Sequence, residues 1–236
     1  MTPVTLVYAY YQNGGMLEQQ CRAWSGYSAT AKAQIAVVVV DDGSPTVPAS
    51  AHLTDCGLPV TLYRIHENLV WNVAGARNLG MQQAAEGWCL LTDIDHVLMP
   101  EDADRLVSTT LNAKCYYTPA RKWANGKKLD PHSNTYLLQR DLYWKTGGSD
   151  EDYTGWWGAG EPAFRKMIRM LAKGHNLPSV TLTHFGRDDI ADASTTEWGR
   201  KDSPYYWSHN PALLKKWKAG AYKASNPIRF TWERVS

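Results

Sequence analysis

The chain is poor in cysteine and phenylalanine and has no long apolar run. Its four cysteines, Cys21, Cys56, Cys89 and Cys115, are widely spaced and form no C-x-x-C pair. That spacing excludes a zinc knuckle and a dithiol redox motif. A chain of 236 residues can bury a full core without staples, so reduced core thiols in a cytoplasmic protein are expected, with one oxidised pair as the alternative. No stretch approaches the roughly 20 apolar residues of a membrane helix. Met1–Pro3 carries no basic segment, and Val4–Tyr11 runs into Gln-Asn-Gly-Gly, so no secretory leader is expected. Internal repeats, low-complexity tracts and a clear linker are also missing. Against three Phe stand eleven Trp and thirteen Tyr. Such rings combine an apolar face with a polar edge, which suits sugars and nucleobases as well as core packing.

Charge is unevenly placed. Residues 1–198 carry 17 Lys and Arg against 21 Asp and Glu, whereas residues 199–236 carry 8 against 2. An acidic body is therefore followed by a basic tail.

The first 120 residues alternate between strand-like and helix-like segments. Val4–Tyr11, Ile35–Val40, Val60–Ile65 and Trp88–Thr92 read as buried strands. Helices are predicted over Met16–Trp24, from Asn72 to Glu86 with Gly87 as the stop, and from Pro100 onward. This order predicts an α/β fold with a mostly parallel central sheet flanked by helices. Farther on, Lys114–Thr118 reads as a strand, Asn125-Gly126 as a hairpin turn, and Thr135–Gln139 as a short strand. A helix is predicted from Pro162, with Phe164, Met167, Ile168 and Leu171 on its apolar face. Val180–Thr183 should be a strand leading to His184. A short basic helix is expected from Pro211 to Lys218, and an edge strand over Ile228–Val235. The domain reading is a catalytic unit over residues 1–187 with a C-terminal basic and aromatic extension, residues 188–236, packed on it.

The strongest chemical signal is Thr92-Asp93-Ile94-Asp95-His96. An apolar strand delivers two carboxylates, one residue apart, at its C-terminal end, where ligands of open α/β sheets bind. Hard oxygen donors there suit Mg²⁺ or Mn²⁺, which in turn suits a diphosphate. Val40-Asp41-Asp42-Gly43-Ser44 is a second strand ending in acids, able to accept from a base N–H or a ribose hydroxyl. Tyr8, Tyr10 and Tyr11 close the first strand.

Taken in order, Tyr10-Tyr11, Val40-Asp41-Asp42-Gly43-Ser44, Gly75-Ala76-Arg77-Asn78-Leu79-Gly80 and Asp93-Ile94-Asp95 resemble the inverting family 2 glycosyltransferases of the GT-A fold. Gly147-Gly148-Ser149-Asp150-Glu151-Asp152, followed by Trp156-Trp157-Gly158-Ala159-Gly160-Glu161-Pro162-Ala163-Phe164, is similar to that family's acceptor-side segment. The resemblance runs from about Val4 to Arg187. It implies a Rossmann-like nucleotide-binding domain, a nucleoside-diphosphate sugar donor (UDP-sugar first) and Mn²⁺ or Mg²⁺. Tyr11 would stack on the base, and Asp42, helped by Asp41, would bind it. Arg77 would lie near the ribose or diphosphate. Asp93 would contact the ribose or the ion's surroundings, and Asp95 and His184 would ligate the ion. Glu161 falls on the catalytic-base position, with Asp150 and Asp152 as backups. The chain departs from the family pattern in having Glu for Asp there, Gly160 for the preceding acid, and an altered loop, Asn68–Ala74, before the Ala-Arg-Asn triplet.

The acceptor class stays open among a glycan, a lipid-linked sugar and a hydroxylated base in DNA. The tail admits the last, because Trp198, Arg200, Lys201, Trp207, Lys216, Trp217, Arg229 and their neighbours interleave basic and aromatic residues. Such a surface attracts a polyanion or an anionic membrane periphery, or packs as a lid on the acidic body. A nucleotidyltransferase is the second enzyme reading, weakened because Gln12-Asn13-Gly14-Gly15 lacks a nearby base. A catalytically silent sugar-nucleotide or polyanion binder is the non-enzyme reading.

Overall fold

The computed structural model describes residues 2–194 and 203–236. The elements are β1 (Val4–Tyr10), α1 (Gly14–Ser25), α2 (Ala29–Gln34), β2 (Ile35–Asp41), β3 (Val60–Ile65), α3 (Val73–Gln83), β4 (Trp88–Asp93), β5 (His96–Leu98) and α4 (Pro100–Ser108). They continue with β6 (Cys115–Trp123), β7 (Lys128–Leu129), β8 (Tyr136–Gln139), α5 (Arg140–Lys145), α6 (Gly160–Leu171), β9 (Lys173–His184), α7 (Pro211–Lys218) and β10 (Trp232–Arg234). Among the described residues no helix is long and apolar enough to cross a membrane.

The strands form one sheet in the order β10-β3-β2-β1-β4-β8-β6-β9-β5, with β7 paired to β6. Its centre, β3-β2-β1-β4, is parallel. These strands are near-continuous apolar runs because helices cover both faces. Antiparallel pairs extend the sheet at β4–β8 and β6–β8 on one side and at β10–β3 on the other.

Register sets up the cleft. Tyr10 of β1 lies level with Asp41 of β2, and Ala9 lies level with Asp93 of β4. The two acid-bearing strand ends therefore emerge at one edge, on either side of β1. The Gly-Ala-Arg-Asn-Leu-Gly segment forms α3 and packs on this sheet. A Cβ at Gly80 would come within 2.5 Å of Val7 Cγ1, so only glycine lets the helix press this close.

Most predicted elements fall within a few residues of the observed ones. Helix α3 ends at Gln83 rather than Glu86. Strand β9 begins seven residues before the predicted strand and pairs in parallel with β6 along its length, with a register shift at Pro119/Ala120. Leu171 is exposed rather than part of the buried face of α6, which consists of Ala163, Phe164 and Ile168. Cys21 and Cys56 are joined in a disulfide, while Cys89 and Cys115 are buried free thiols. The reading of four reduced thiols therefore holds for two.

Residues 203–236 pack back on the preceding elements. Trp157 and Tyr206 form a bridge. Helix α7 brings Lys216 onto the carboxylates of Asp150 and Asp152. The chain then returns to the sheet edge, where Trp232 packs on Tyr63 with ring centres 5.6 Å apart. Trp198, Arg200 and Lys201 lie outside the described residues.

Candidate active site

Asp93 and Asp95 leave β4 in different directions and meet different partners. Arg77 Nη2 donates to Asp93 Oδ1 at 2.5 Å, and His132 Nε2 lies 3.6 Å from Asp93 Oδ2. Burial pushes the Asp93 carboxyl up, but Arg77, His132 and His96 outweigh it and hold the group below the usual carboxylate range. Asp93 is therefore a charged anchor for Arg77.

Asp95 faces a stack of imidazoles. His96 lies between His132 and His184, with ring centres 4.3 and 4.6 Å away. The stack exists because β5 follows the Asp-Ile-Asp turn and pairs antiparallel with β9, setting His96 opposite His184. Arg121 Nη1 approaches His96 Nε2 at 3.2 Å, and His96 Nδ1 lies 2.5 Å from Asp95 Oδ1. A guanidinium can only donate. Nε2 of His96 must then accept, and Nδ1–H donates to Asp95.

That pattern leaves Asp95 Oδ2 and His184 Nδ1, 3.6 Å apart. The His184 Nδ1 atom is buried and has no hydrogen-bond partner among the described residues. Asp95, His96 and His184 form a group of the kind that could hold a metal ion, their ligand atoms lying within 4.8 Å of one another. Two ligands of one divalent ion, each about 2.1 Å from it, sit roughly 3–4 Å from each other. The Asp95–His184 pair fits such an ion, with His96 fixing the carboxylate from behind. Burial lowers the His184 pKa, which favours the neutral ring that a metal requires.

Asp41 and Asp42 also diverge. Asp41 accepts from Ser44 N–H at 2.8 Å, Ala49 N–H at 2.9 Å and Arg64 Nη1 at 3.1 Å. It ties down its own loop. Asp42 is 6% exposed and accepts from Asn72 Nδ2 at 2.9 Å. Burial raises its pKa to about 7. Asn72 precedes α3, but its side chain does not cap the helix. It bridges Asp42 and Thr154 Oγ1 instead. Tyr11 sits in the loop after β1, its hydroxyl 3.1 Å from Asn68 Oδ1.

Glu161 lies in the first turn of α6, where the helix dipole favours a carboxylate. Its Oε1 is 3.9 Å from Arg77 Nη1. Arg77, 4% exposed, thus stands between Asp93 and Glu161. A cavity of about 560 Å³ is lined by Ala9, Asn13, Asp93, Asp95, Glu161 and Trp157, among others. Trp71 also lines it, with a φ of 52°. That left-handed conformation is strained for a bulky residue.

Several contributors carried no role in the sequence reading. His96, directly after Asp95, was readable only as a neighbour, since its function depends on β9. Asn78 joins α3 to the acidic loop through Ser149 and Glu151. Asp150 and Asp152, the alternative bases of the sequence reading, pair with Lys216 instead. Glu151 accepts from Asn78 Nδ2, Ile228 N–H and Arg229 N–H at 2.7, 2.5 and 3.0 Å. These acids hold the extension. Among the sequence-predicted residues, the structure brings Asp93, Asp95 and Glu161 to one cavity, with His184 beside Asp95 and Arg77 beneath Asp93 and Glu161.

The family model for Glycosyl transferase family 2 matches residues 27–156, more than half of the chain. The comparison with curated proteins gave no match. Among solved structures, S. aureus TarS 1-349 in complex with UDP-GlcNAc superposes with a TM-score of 0.68 at 13% identity, over 96% of this chain and 68% of that one. Mannosyltransferase PcManGT from Pyrobaculum calidifontis, in complex with GDP-Man and Mn²⁺, gives 0.61 at 15% identity, over 96% and 66%. Other TarS crystal structures give 0.62 and 0.61, both at 15% identity over 81% of this chain, which spans 63% of TarS 1-349 and 38% of TarS. At these identities the likeness is one of fold, and it agrees with the GT-A sheet described above. With the family model covering more than half of its residues, the chain belongs to glycosyl transferase family 2.

Proposed function

We propose that the chain is a metal-dependent, inverting glycosyltransferase that moves a sugar from a nucleoside-diphosphate donor to an acceptor hydroxyl. The observation that carries this reading is one cavity lined by both Asp95 and Glu161, with His184 Nδ1 buried, unpartnered and 3.6 Å from Asp95. Neighbours of the same fold are described with UDP-GlcNAc and with GDP-Man and Mn²⁺. A UDP-sugar is the first donor to test.

The sheet order arranges the chemistry. Asp42 and Tyr11, at the ends of β2 and β1, form the nucleobase side. Asp93 and Asp95, at the end of β4, form the diphosphate side, with Arg77 behind. A divalent ion held by Asp95 and His184 would absorb charge developing on the leaving diphosphate. Glu161, on the next layer, takes the proton from the acceptor hydroxyl. The acceptor oxygen then forms a bond to the anomeric carbon as the bond to the diphosphate oxygen breaks, and the nucleoside diphosphate departs. Attack opposite the leaving group inverts the centre.

Residues 1–187 would form the catalytic unit and residues 188–236 a strap. A glycan or lipid-linked sugar is favoured over DNA, because Lys216 and Arg229, two of the strap's basic residues, already pair with Asp150 and Asp152.

The test is nucleoside-diphosphate release by purified protein with Mn²⁺ across a panel of UDP-, GDP- and other nucleotide sugars. Asp95→Ala should abolish release, and Glu161→Gln should retain donor binding while losing transfer. A wild-type protein that neither binds nor turns over any donor would end the reading.

A further inference from the structure

Arg165 is the one basic side chain among the described residues lining the 560 Å³ cavity. It lies one helical turn beyond Glu161 on α6, so the two side chains share a face of the helix. Phe164 and Ile168 turn into the core and fix that face. Arg165 has no carboxylate within 4.0 Å among the described residues, unlike Arg77, which has two. Its Nε is buried and without a hydrogen-bond partner. Arg165 lies within hydrogen-bonding reach of the Tyr136 phenol and draws its pKa down against the larger effect of burial. That phenol donates to Ser133 O at 2.8 Å. Buried guanidinium donors are ordinarily paired. Arg165 as a whole is only partly buried and lines the cavity, so its guanidinium is within reach of a molecule that enters.

Its position says which molecule. The base-side groups, Asp42 and Tyr11, stand at the ends of β2 and β1, and the carboxylates stand at the end of β4. Strand β8 is the next strand beyond β4. Helix α6 packs against it, with the Phe164 ring 5.0 Å from Tyr136. With about 4.8 Å between neighbouring strands, Arg165 lies on the far side of Asp93 and Asp95 from the nucleobase. Ser133, Asn134, Trp157 and Pro162 line the cavity with it, giving polar edges and an apolar face for a sugar ring.

We propose that Arg165 selects an acceptor that carries an anionic group, a carboxylate or a phosphate, close to the hydroxyl deprotonated by Glu161. This rests on the glycosyltransferase reading and deepens it. A guanidinium fork matches either anion in bidentate fashion. Arg77 already pairs with Asp93 and Glu161, which leaves Arg165 available to the acceptor.

The experiment pairs each anionic probe with its neutral counterpart: glucuronate and galacturonate glycosides against glucosides and galactosides, and sugar 6-phosphates against the free sugars. Transfer from the donor found active is measured with wild type, Arg165→Gln and Arg165→Lys, and thermal melting checks that each variant folds. Wild type should prefer the anionic member of at least one pair, and the carboxylate and phosphate arms separate the two anions. Arg165→Gln should lower that anionic-to-neutral ratio of kcat/KM by about 10- to 100-fold, with Arg165→Lys recovering part of it. A generic packing role would affect both members of a pair equally. No preference in any pair overturns the inference, as does a comparable loss of nucleoside-diphosphate affinity in Arg165→Gln, which would place the residue on the donor. Transfer to neutral acceptors without an anionic preference leaves the glycosyltransferase reading standing. Absence of any donor turnover removes both.

Discussion

Replacing Asp42 by Asn tests the nucleobase side of the cleft through two independent quantities. The carboxyl is buried, is hydrogen-bonded by the Asn72 side chain and backbone, and has its pKa raised from 3.8 to about 7 by burial. A raised carboxyl pKa means that the folded state holds a proton that the unfolded chain has released. Below about pH 4 both states are protonated and Asp42 costs nothing. Between about 4 and 7 stability falls as pH rises, and above 7 the full cost is present. Three pK units at about 1.4 kcal/mol each amount to about 4 kcal/mol, a large part of the 5–15 kcal/mol typical of a domain. Asn cannot ionise and can keep the Asn72 bond, so Asp42→Asn should be more stable than wild type at pH 8 and nearly equal at pH 4. Urea unfolding at half-unit steps from pH 4 to 8 measures the difference. The second quantity is donor affinity. If the ionised carboxylate accepts from the nucleobase, wild-type affinity for UDP should rise as pH passes 7, and Asp42→Asn should lose that rise. Stability curves for the two proteins that run parallel between pH 4 and 7 would refute the reasoning.

Three further outcomes follow from particular contacts. Chelation with EDTA, or His184→Ala, should cut donor turnover at least about 100-fold, since charge neutralisation at the diphosphate is worth several kcal/mol, and added Mn²⁺ should rescue the chelated wild type but not the variant. Arg77→Met should lower unfolding free energy by about 3 kcal/mol, at the low end for a broken buried pair, because the Asp93 side chain is 34% exposed; denaturant titration checks it, and a loss under 1 kcal/mol would show that Asp93 has found another partner. Glu151→Ala removes the acceptor of three donors, two of them backbone N–H groups of the strap at Ile228 and Arg229. Hydrogen exchange at those two amides should rise by an order of magnitude or more, as each unsatisfied donor costs about 1–3 kcal/mol, and unchanged protection would show that the strap is held elsewhere.

The strap also explains a feature that composition left open. Interleaved basic and aromatic residues read either as a polyanion surface or as a lid. The structure shows Lys216 and Arg229 on the Asp150–Asp152 loop, and Trp207 and Trp217 packed against each other with ring centres 5.1 Å apart. Ile228 is held at a φ of 64°, a conformation that a β-branched residue adopts only when its surroundings enforce it. Glu151, by accepting from the Ile228 N–H, is part of that enforcement.

The parallel strands were legible in the sequence because buried strands need unbroken apolar runs, and Val4–Tyr10, Ile35–Asp41 and Trp88–Asp93 have them. The acids at their ends were legible for the same reason: carboxylates close apolar runs at the one sheet edge where ligands bind. What local pattern could not decide was the use of each acid. Asp41 and Asp42 are adjacent and chemically alike, yet one caps its own loop and the other is buried against Asn72. Asp93 and Asp95 are two residues apart, yet one anchors Arg77 and the other faces His184. Those assignments depend on partners 8 to 89 residues distant, brought together by the β5–β9 pairing and by α3 lying on the sheet. Arg165 and His96 became visible for the same reason, since an unpaired donor or a fixed tautomer is a property of surroundings that only the folded chain assembles.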